Sequence, residues 1–326
     1  LKAAVYYGPG KIKVEERPKP ALKEDEVLIQ VKACAICGTD VRIYTYGQTN
    51  VKPPHVIGHE ITGIISETGR KVTGYKRGER VTLVTCVGCG KCEFCLAGRV
   101  NLCPQMKAIG YYYSGGFAQW MIVPAEAVYQ GNILLLPDNL SFEEGTLAEP
   151  LSCCINGQEY LDIKAGDTVT IIGAGPIGCM HAQLAKVSGA TKVILADISE
   201  ERLELARGVR ADVYINSQKE NLVDRVLGET QGAGAEVVIT ACPSPEAQEQ
   251  ALAIIRSRGR ISFFGGLPHD KSKIPFESNI IHYKEISVFG AYASHHLQYK
   301  SALKLLSSQR IEGEKLITHR FPLEEI

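Results

Sequence analysis

The chain lacks any run of about 18 or more consecutive apolar residues, so no helix that crosses a bilayer is expected. It also lacks net charge, with Lys+Arg and Asp+Glu at 36 each. No overall field then draws it to nucleic acid or to an anionic membrane, and neither is expected as a partner. The opening stretch Leu1-Lys2-Ala3-Ala4-Val5-Tyr6-Tyr7 lacks the apolar length of a secretory signal. It reads as a first strand turning at Gly8-Pro9-Gly10.

What is present fits a globular protein: 326 residues, enough for two domains, with 45% hydrophobic and 22% charged content. Cysteine is abundant, at eleven and an odd number. With no signal, these cysteines point to a reducing, cytoplasmic setting, where clusters hold metal rather than disulfides. Cys34, Cys153, Cys154, Cys179 and Cys242 are scattered in apolar runs and read as buried small hydrophobes.

Residues 1 to about 150 read as short strands separated by Gly- and Pro-rich turns, an all-β, barrel-like module. Strands are expected near 26–31, 61–66 and 80–84. Within it stands Gly58-His59-Glu60. Imidazole, carboxylate and thiolate are the side chains that bind zinc. Cys37 lies upstream, opening a turn or short helix, and Glu149 downstream before Pro150. Bringing these four together would make one catalytic zinc site; each alone also fits a bland role, Cys37 as a buried thiol. Thr39 either sets a hydroxyl beside a metal-bound ligand or caps the helix. The run Cys86-Val-Gly-Cys-Gly-Lys-Cys-Glu-Phe-Cys, followed by Cys103, is a stronger signal. Cys89, Cys92, Cys95 and Cys103 can wrap a tetrahedral ion in a closed, structural zinc site. A tetrad of Cys86, Cys89, Cys92 and Cys95, or an iron–sulfur cluster before Pro104, are the alternatives. Gly115-Gly116-Phe117-Ala118-Gln119-Trp120 is a turn into a strand, its tryptophan packed or near a pocket.

After Pro150, which fits a helix start running past Cys153, strand and helix alternate. Thr168–Ile172 is an apolar strand, Gly173-Ala174-Gly175-Pro176-Ile177-Gly178 follows, and 179–188 is helical. Lys192–Ala196 is the next strand and ends in Asp197. That is the dinucleotide fingerprint in its strand–turn–helix context. Gly173 serves the tight turn and Gly175 the approach of a pyrophosphate to the helix N-terminus. Gly178 serves close helix–strand packing. Asp197 would accept from the adenosine ribose hydroxyls and repel a 2′-phosphate, favouring NAD over NADP, with Arg202 the nearby cation that blurs this. Its other reading is a solvated cap before Ser199. Strands near 213–215, 236–240, 260–264 and 286–289, with helices near 200–207, 219–229 and 245–257, complete a doubly wound parallel sheet. Gly265-Gly266 and Gly290 either face the nicotinamide half or simply turn the chain.

These residues resemble the zinc-containing medium-chain alcohol dehydrogenase family. Gly58-His59-Glu60 with Gly63, Gly69 and Val72 matches its zinc signature. The cysteine lobe, Glu149-Pro150 and the glycine fingerprint follow in the family's order along essentially the whole chain. The sorbitol, threonine and sugar-alcohol-phosphate branch is the nearest, from glutamate at 149, the run Glu149-Pro150-Leu151-Ser152 and Thr318-His319-Arg320-Phe321-Pro322-Leu323. The resemblance implies an α/β protein. A GroES-like β-barrel catalytic domain is expected over 1–150 plus 293–326, and a Rossmann doubly wound parallel-sheet domain over 151–292, with substrate in the cleft between them. It implies a catalytic zinc on Cys37, His59 and Glu60 or Glu149, and Thr39 as proton relay. Gly173, Gly175, Pro176, Ile177, Gly178, Asp197 and Arg202 fall at the NAD site. A small-molecule alcohol or polyol substrate and a homodimer or homotetramer are implied.

Three departures matter. Arg42 stands where the family commonly has a relay histidine, and arginine stays protonated. Ala293 and Ser294 replace the arginine–tyrosine pair of animal-type polyol dehydrogenases. Relatives continue beyond the position of Ile326, so the sequence is expected to stop short of the true C-terminus. The expected reaction is oxidation of a secondary alcohol, polyol, sugar alcohol or its phosphate by NAD. L-threonine 3-dehydrogenase, and a non-catalytic NAD-binding protein with structural zinc alone, are the alternatives.

Overall fold

The computed structural model describes residues 1–326, His269 apart. The chain forms two compact units. The first takes Leu1–Ser152, Ala293–Ser308 and His319–Ile326; the second takes Cys153–Tyr292 and Gln309–Thr318. Residues Gln309–Thr318 thus differ from the expected division, which gave all of 293–326 to the first unit. The Glu312 N–H donates to Gln183 Oε1 at 2.7 Å, and Arg210 pairs with Glu312 at 2.8 Å, which holds this segment in the second unit.

In the first unit a five-stranded antiparallel sheet runs Ile133–Leu135, Arg80–Leu83, Glu60–Thr68, Val27–Ala35, Trp120–Val123 in spatial order. A second sheet pairs Lys11–Glu16, Lys2–Gly8 and His55–Val56. The core under the larger sheet includes Val27, Ile29, Ile61, Ile65, Val81, Leu83, Met121 and Val123. The module is less purely β than its sequence suggests. Helices Gly38–Tyr46, Phe142–Thr146 and His296–Ser307 belong to it. Ser141 and Glu144 start the second of these by bonding each other's backbone N–H.

One pairing positions the site. In the antiparallel register Cys34 faces Ile61 and Ala35 faces Glu60, after an irregularity between Val31 and Ala33. Cys37 lies two residues past Ala35 and His59 one residue before Glu60. The ladder therefore delivers both to the same end of the sheet. Bulges of this kind commonly re-aim chains beside active sites.

The second unit is a six-stranded parallel sheet. Its spatial order is Val213–Asn216, Lys192–Asp197, Thr168–Ile172, Ala235–Thr240, Ile255–Phe263, Ser287–Gly290. The order reverses across Thr168–Ile172, so the topological switch lies at that strand's carboxyl end. The helix expected over 245–257 spans Pro245–Ile254. Ile255 instead opens the next strand, paired with Ala235, because the apolar run Ala251–Ile255 serves helix and sheet in turn. Among the described residues no helix is long and apolar enough to cross a membrane.

Candidate metal centre and dinucleotide turn

Cys37 caps the helix Gly38–Tyr46. Its N–H donates to Asp40 Oδ2 at 2.9 Å. The other oxygen, Asp40 Oδ1, lies 3.5 Å from His59 Nδ1, a polar contact too loose to count as a hydrogen bond. Donor atoms of Cys37, His59 and Glu60 all lie within 4.8 Å of one another. Glu149 sits in the first turn of Ala148–Glu159. Its charge is felt at Cys37, His59 and Glu60. His59, Glu60, Asp40 and Glu149 are all buried.

The electrostatics describe a site that suits a cation. Burial, with the Glu149 charge beside it, pushes the Glu60 carboxyl up to about 8. Burial also raises the Cys37 thiol. For His59 burial acts to lower the pKa, but the neighbouring Asp40 carboxyl and Cys37 outweigh it, and the imidazole is held well above its usual value. Buried acids facing each other are costly unless a positive charge joins them. Sulfur, imidazole and carboxylate donors are zinc's preferred set, so the residues fit that ion. With Nδ1 on the side of Asp40, His59 would have Nε2 left to offer such an ion, the arrangement by which a carboxylate orients a metal-binding histidine.

Asp40 has no role in the sequence reading. Its signal was the capping spacing from Cys37, an acid at the third helical residue. Tyr111 was also missed; its ring centroid lies 5.1 Å from that of His59. Thr39 is half-buried at the second position of the helix, and Arg42 is exposed with Nη2 3.5 Å from Gln48 Oε1.

The sulfurs of Cys89, Cys92, Cys95 and Cys103 form a second cluster within 4.8 Å. Backbone N–H groups of Lys91 and Cys92 point at Cys89 and bring its thiol down to about 6. Cys103 Sγ accepts from the N–H groups of Cys89 and Gln105, both at 3.4 Å. A Cβ on Gly88 would lie 2.5 Å from Cys95 Sγ, so the knuckle needs glycine there. Cys86 is not in this cluster. It lies buried in the short strand Cys86–Val87, its thiol pushed up to about 12 by burial, so the tetrad Cys86, Cys89, Cys92 and Cys95 does not form.

At the switch point Gly173 has φ +115°, and a Cβ there would press on the Ala241 backbone at 3.1 Å. A Cβ on Gly178 would lie 1.7 Å from the Gly173 carbonyl oxygen. Gly175 caps the helix Pro176–Val187 and faces open space. Pro176 is exposed and Ile177 half-buried, leaving that first turn accessible. Asp197 is buried, not a solvated cap. Its Oδ2 accepts from Ala174 N–H at 2.8 Å and its Oδ1 from Ser199 N–H at 2.9 Å. Arg202 Nη1 stands 3.9 Å from Asp197 Oδ2.

A GroES-like antiparallel unit with two metal-type donor clusters, and a doubly wound unit with a dinucleotide turn, define a zinc-dependent dehydrogenase class. Residues 23–137 match the family of alcohol dehydrogenase GroES-like domains, and residues 176–308 that of zinc-binding dehydrogenases. Sorbitol dehydrogenase of Bacillus subtilis (strain 168) is 34% identical over 100% of this chain and 91% of its own. L-threonine 3-dehydrogenase of Pyrococcus furiosus is 36% identical over 98% of this chain and 90% of its own. The crystal structure of a provisionally named zinc-binding dehydrogenase from Sinorhizobium meliloti 1021, bound to NADP, superposes with a TM-score of 0.88 at 33% identity, covering 95% of this chain and 89% of that one. The chain belongs to the zinc-binding alcohol dehydrogenase family and is an oxidoreductase.

Proposed function

We propose that this oxidoreductase oxidises a secondary alcohol of the polyol, sugar-alcohol or sugar-alcohol-phosphate class with NAD. The observation that carries the reading is the triad Cys37, His59 and Glu60, half-buried at the thiol and buried at the other two, with the Glu149 carboxyl acting on it. These residues would hold the catalytic zinc, and Cys89, Cys92, Cys95 and Cys103 a structural one. Zinc bound to the first set would supply Lewis acidity, drawing the pKa of an alcohol hydroxyl toward neutrality. NAD would accept the hydride.

The chain's own residues do the rest. Asp40 fixes the Cys37 backbone and sets its other carboxyl oxygen beside the His59 ring. Thr39 is the candidate to take the substrate proton. Arg42 cannot carry it further as a base, so it exits through water or the ribose. On the nucleotide side Gly175, Pro176, Ile177 and Gly178 present a helix N-terminus to the pyrophosphate. Asp197 favours NAD because its buried carboxylate would repel a 2′-phosphate, and Arg202 is already drawn toward that carboxylate. The free edge of Ser287–Gly290 is where a second copy would pair.

The similarity to a threonine dehydrogenase supports a second reading, oxidation of L-threonine. Turnover of a polyol panel, with phosphorylated members, against L-threonine, each with NAD and NADP, separates the two. Polyol turnover with NAD and two zinc ions per chain is expected. A single zinc per chain, or preference for NADP, would sink the proposal.

A further inference from the structure

Within the first unit, the segment after Tyr292 brings two buried hydroxyls to the backbone behind the metal-type residues. Tyr299, on the helix His296–Ser307, is 1% exposed. Its Oη lies 2.8 Å from Thr85 Oγ1 and 3.2 Å from Thr85 N. Thr85 Oγ1 lies 3.2 Å from the carbonyl oxygen of His59. A threonine hydroxyl has one proton to give. Given to the His59 carbonyl, it leaves Thr85 Oγ1 to accept from the Tyr299 O–H, while the Tyr299 oxygen accepts the Thr85 N–H. The chain runs one way, Tyr299 to Thr85 to His59.

The same device recurs at Glu149. Ser152 Oγ donates to the Glu149 carbonyl at 2.6 Å, a local back-bond usual for serine in a helix. Ser294, 142 residues further along the chain, lies 2.7 Å from that hydroxyl and by the same count donates to it. The Ser294 N–H also donates to the Cys86 thiol. Thr85, Ser152, Ser294 and Tyr299 are all buried, where a broken hydrogen bond is not replaced by water.

We propose that Ser294 and Tyr299 are positioning residues for the metal centre. They form a two-point clamp that reaches His59 through Thr85 and Glu149 through Ser152. The clamp rests on the reading that Cys37, His59, Glu60 and Glu149 surround zinc. The clamp acts on the backbone: each hydroxyl fixes the stretch of chain from which a donor projects. Loss of either leaves the donors in place but looser, and the ion escapes faster.

The test follows zinc release from the holoenzyme into a chromogenic chelator, with NADH binding measured alongside. Tyr299→Phe removes only the hydroxyl and keeps the ring. It is expected to speed release of one zinc about tenfold, the lower end of what outer partners of a metal site contribute, with the other zinc and NADH binding unchanged. Thr85→Val and Ser294→Ala should act in the same direction. Thr85→Ser, which keeps the relay, should behave as wild type. Tyr299→Phe combined with Thr85→Val should release no faster than the faster single variant, because the two hydroxyls act in series. The visible spectrum of cobalt-substituted protein should shift in Tyr299→Phe and not in Thr85→Ser.

Unchanged release in Tyr299→Phe from a two-zinc protein overturns the clamp and leaves the metal site standing. A parallel shift of both zincs and of NADH binding also overturns it, since that is general loosening. A wild-type protein that yields a single zinc overturns the metal reading itself, and the clamp with it. If Tyr299→Phe fails to fold, Ser294→Ala and Thr85→Val decide on the same readouts.

Discussion

His181 lies fully buried on the helix that follows the dinucleotide turn. Gln158 Nε2 lies 3.1 Å from its Nδ1 and donates to its carbonyl at 2.9 Å, and the Phe264 ring stands edge-on at 4.5 Å. The Gln158 amide makes Nδ1 the acceptor, so the ring proton sits on Nε2. No carboxylate faces the ring in these contacts, and burial alone pushes the imidazole down to about 3. An unfolded chain would protonate this histidine near 6.5. Between those two values the unfolded state holds a proton that the folded state refuses, so stability falls as the pH falls. At pH 5 the loss from this one group is about 2 kcal/mol. His181→Gln should be less stable than wild type at pH 7 yet lose less between pH 7 and pH 5, by about that amount, in denaturant melts followed by circular dichroism. An equal loss in both proteins would mean that another group sets the acid limb.

At the scale of an element, the fingerprint glycines separate into two kinds. Gly178 lacks room within the fold, since its Cβ would overlap the Gly173 carbonyl. Gly175 lacks nothing within the fold, since its Cβ would meet no atom within 4 Å. Gly178→Ala should therefore destabilise the protein without cofactor, by about 1–3 kcal/mol or more, as overpacking does. Gly175→Ala should leave the melting temperature alone and weaken NADH binding, because the added methyl intrudes only where a pyrophosphate would approach. If Gly175→Ala bound NADH as tightly as wild type, the turn would not be the phosphate site. This element was legible in the sequence because its constraint is local: strand, glycines, helix and acid lie within one stretch. Other parts were not. The Ile255 strand start hides inside a continuous apolar run. Tyr111, Thr85 and Tyr299 make contacts that no spacing announces, and Tyr299 meets Thr85 from 214 residues away. The antiparallel register of Ala35 against Glu60 explains why Cys37 and His59 meet, yet hydrophobic alternation alone does not reveal that register.

At the scale of the molecule, the two donor clusters ask different things of a metal. Residues 89–99 contain no buried residue, so the cysteine lobe has almost no core of its own. A metal held there would supply much of its folding energy, as in small zinc modules. The Cys37, His59 and Glu60 site is the opposite case. Its donor residues stand on a paired strand and a capped helix above a packed core, so an ion there would not be needed to hold the fold. The dinucleotide unit has a separate core around Ile194, Ile215, Val238 and Ile261 that contains no residue of either cluster. Cys103→Ser and Cys37→Ser should each lower the zinc content from two to one per chain, with different consequences. Cys103→Ser should open the lobe to trypsin at the exposed Lys91 and Arg99, while Cys37→Ser abolishes turnover and leaves the lobe resistant. Both should still bind NADH in a fluorescence titration. A Cys103→Ser protein as resistant to trypsin as wild type would show that protein contacts, not metal, hold residues 89–103 in place, and the structural assignment of that cluster would fall.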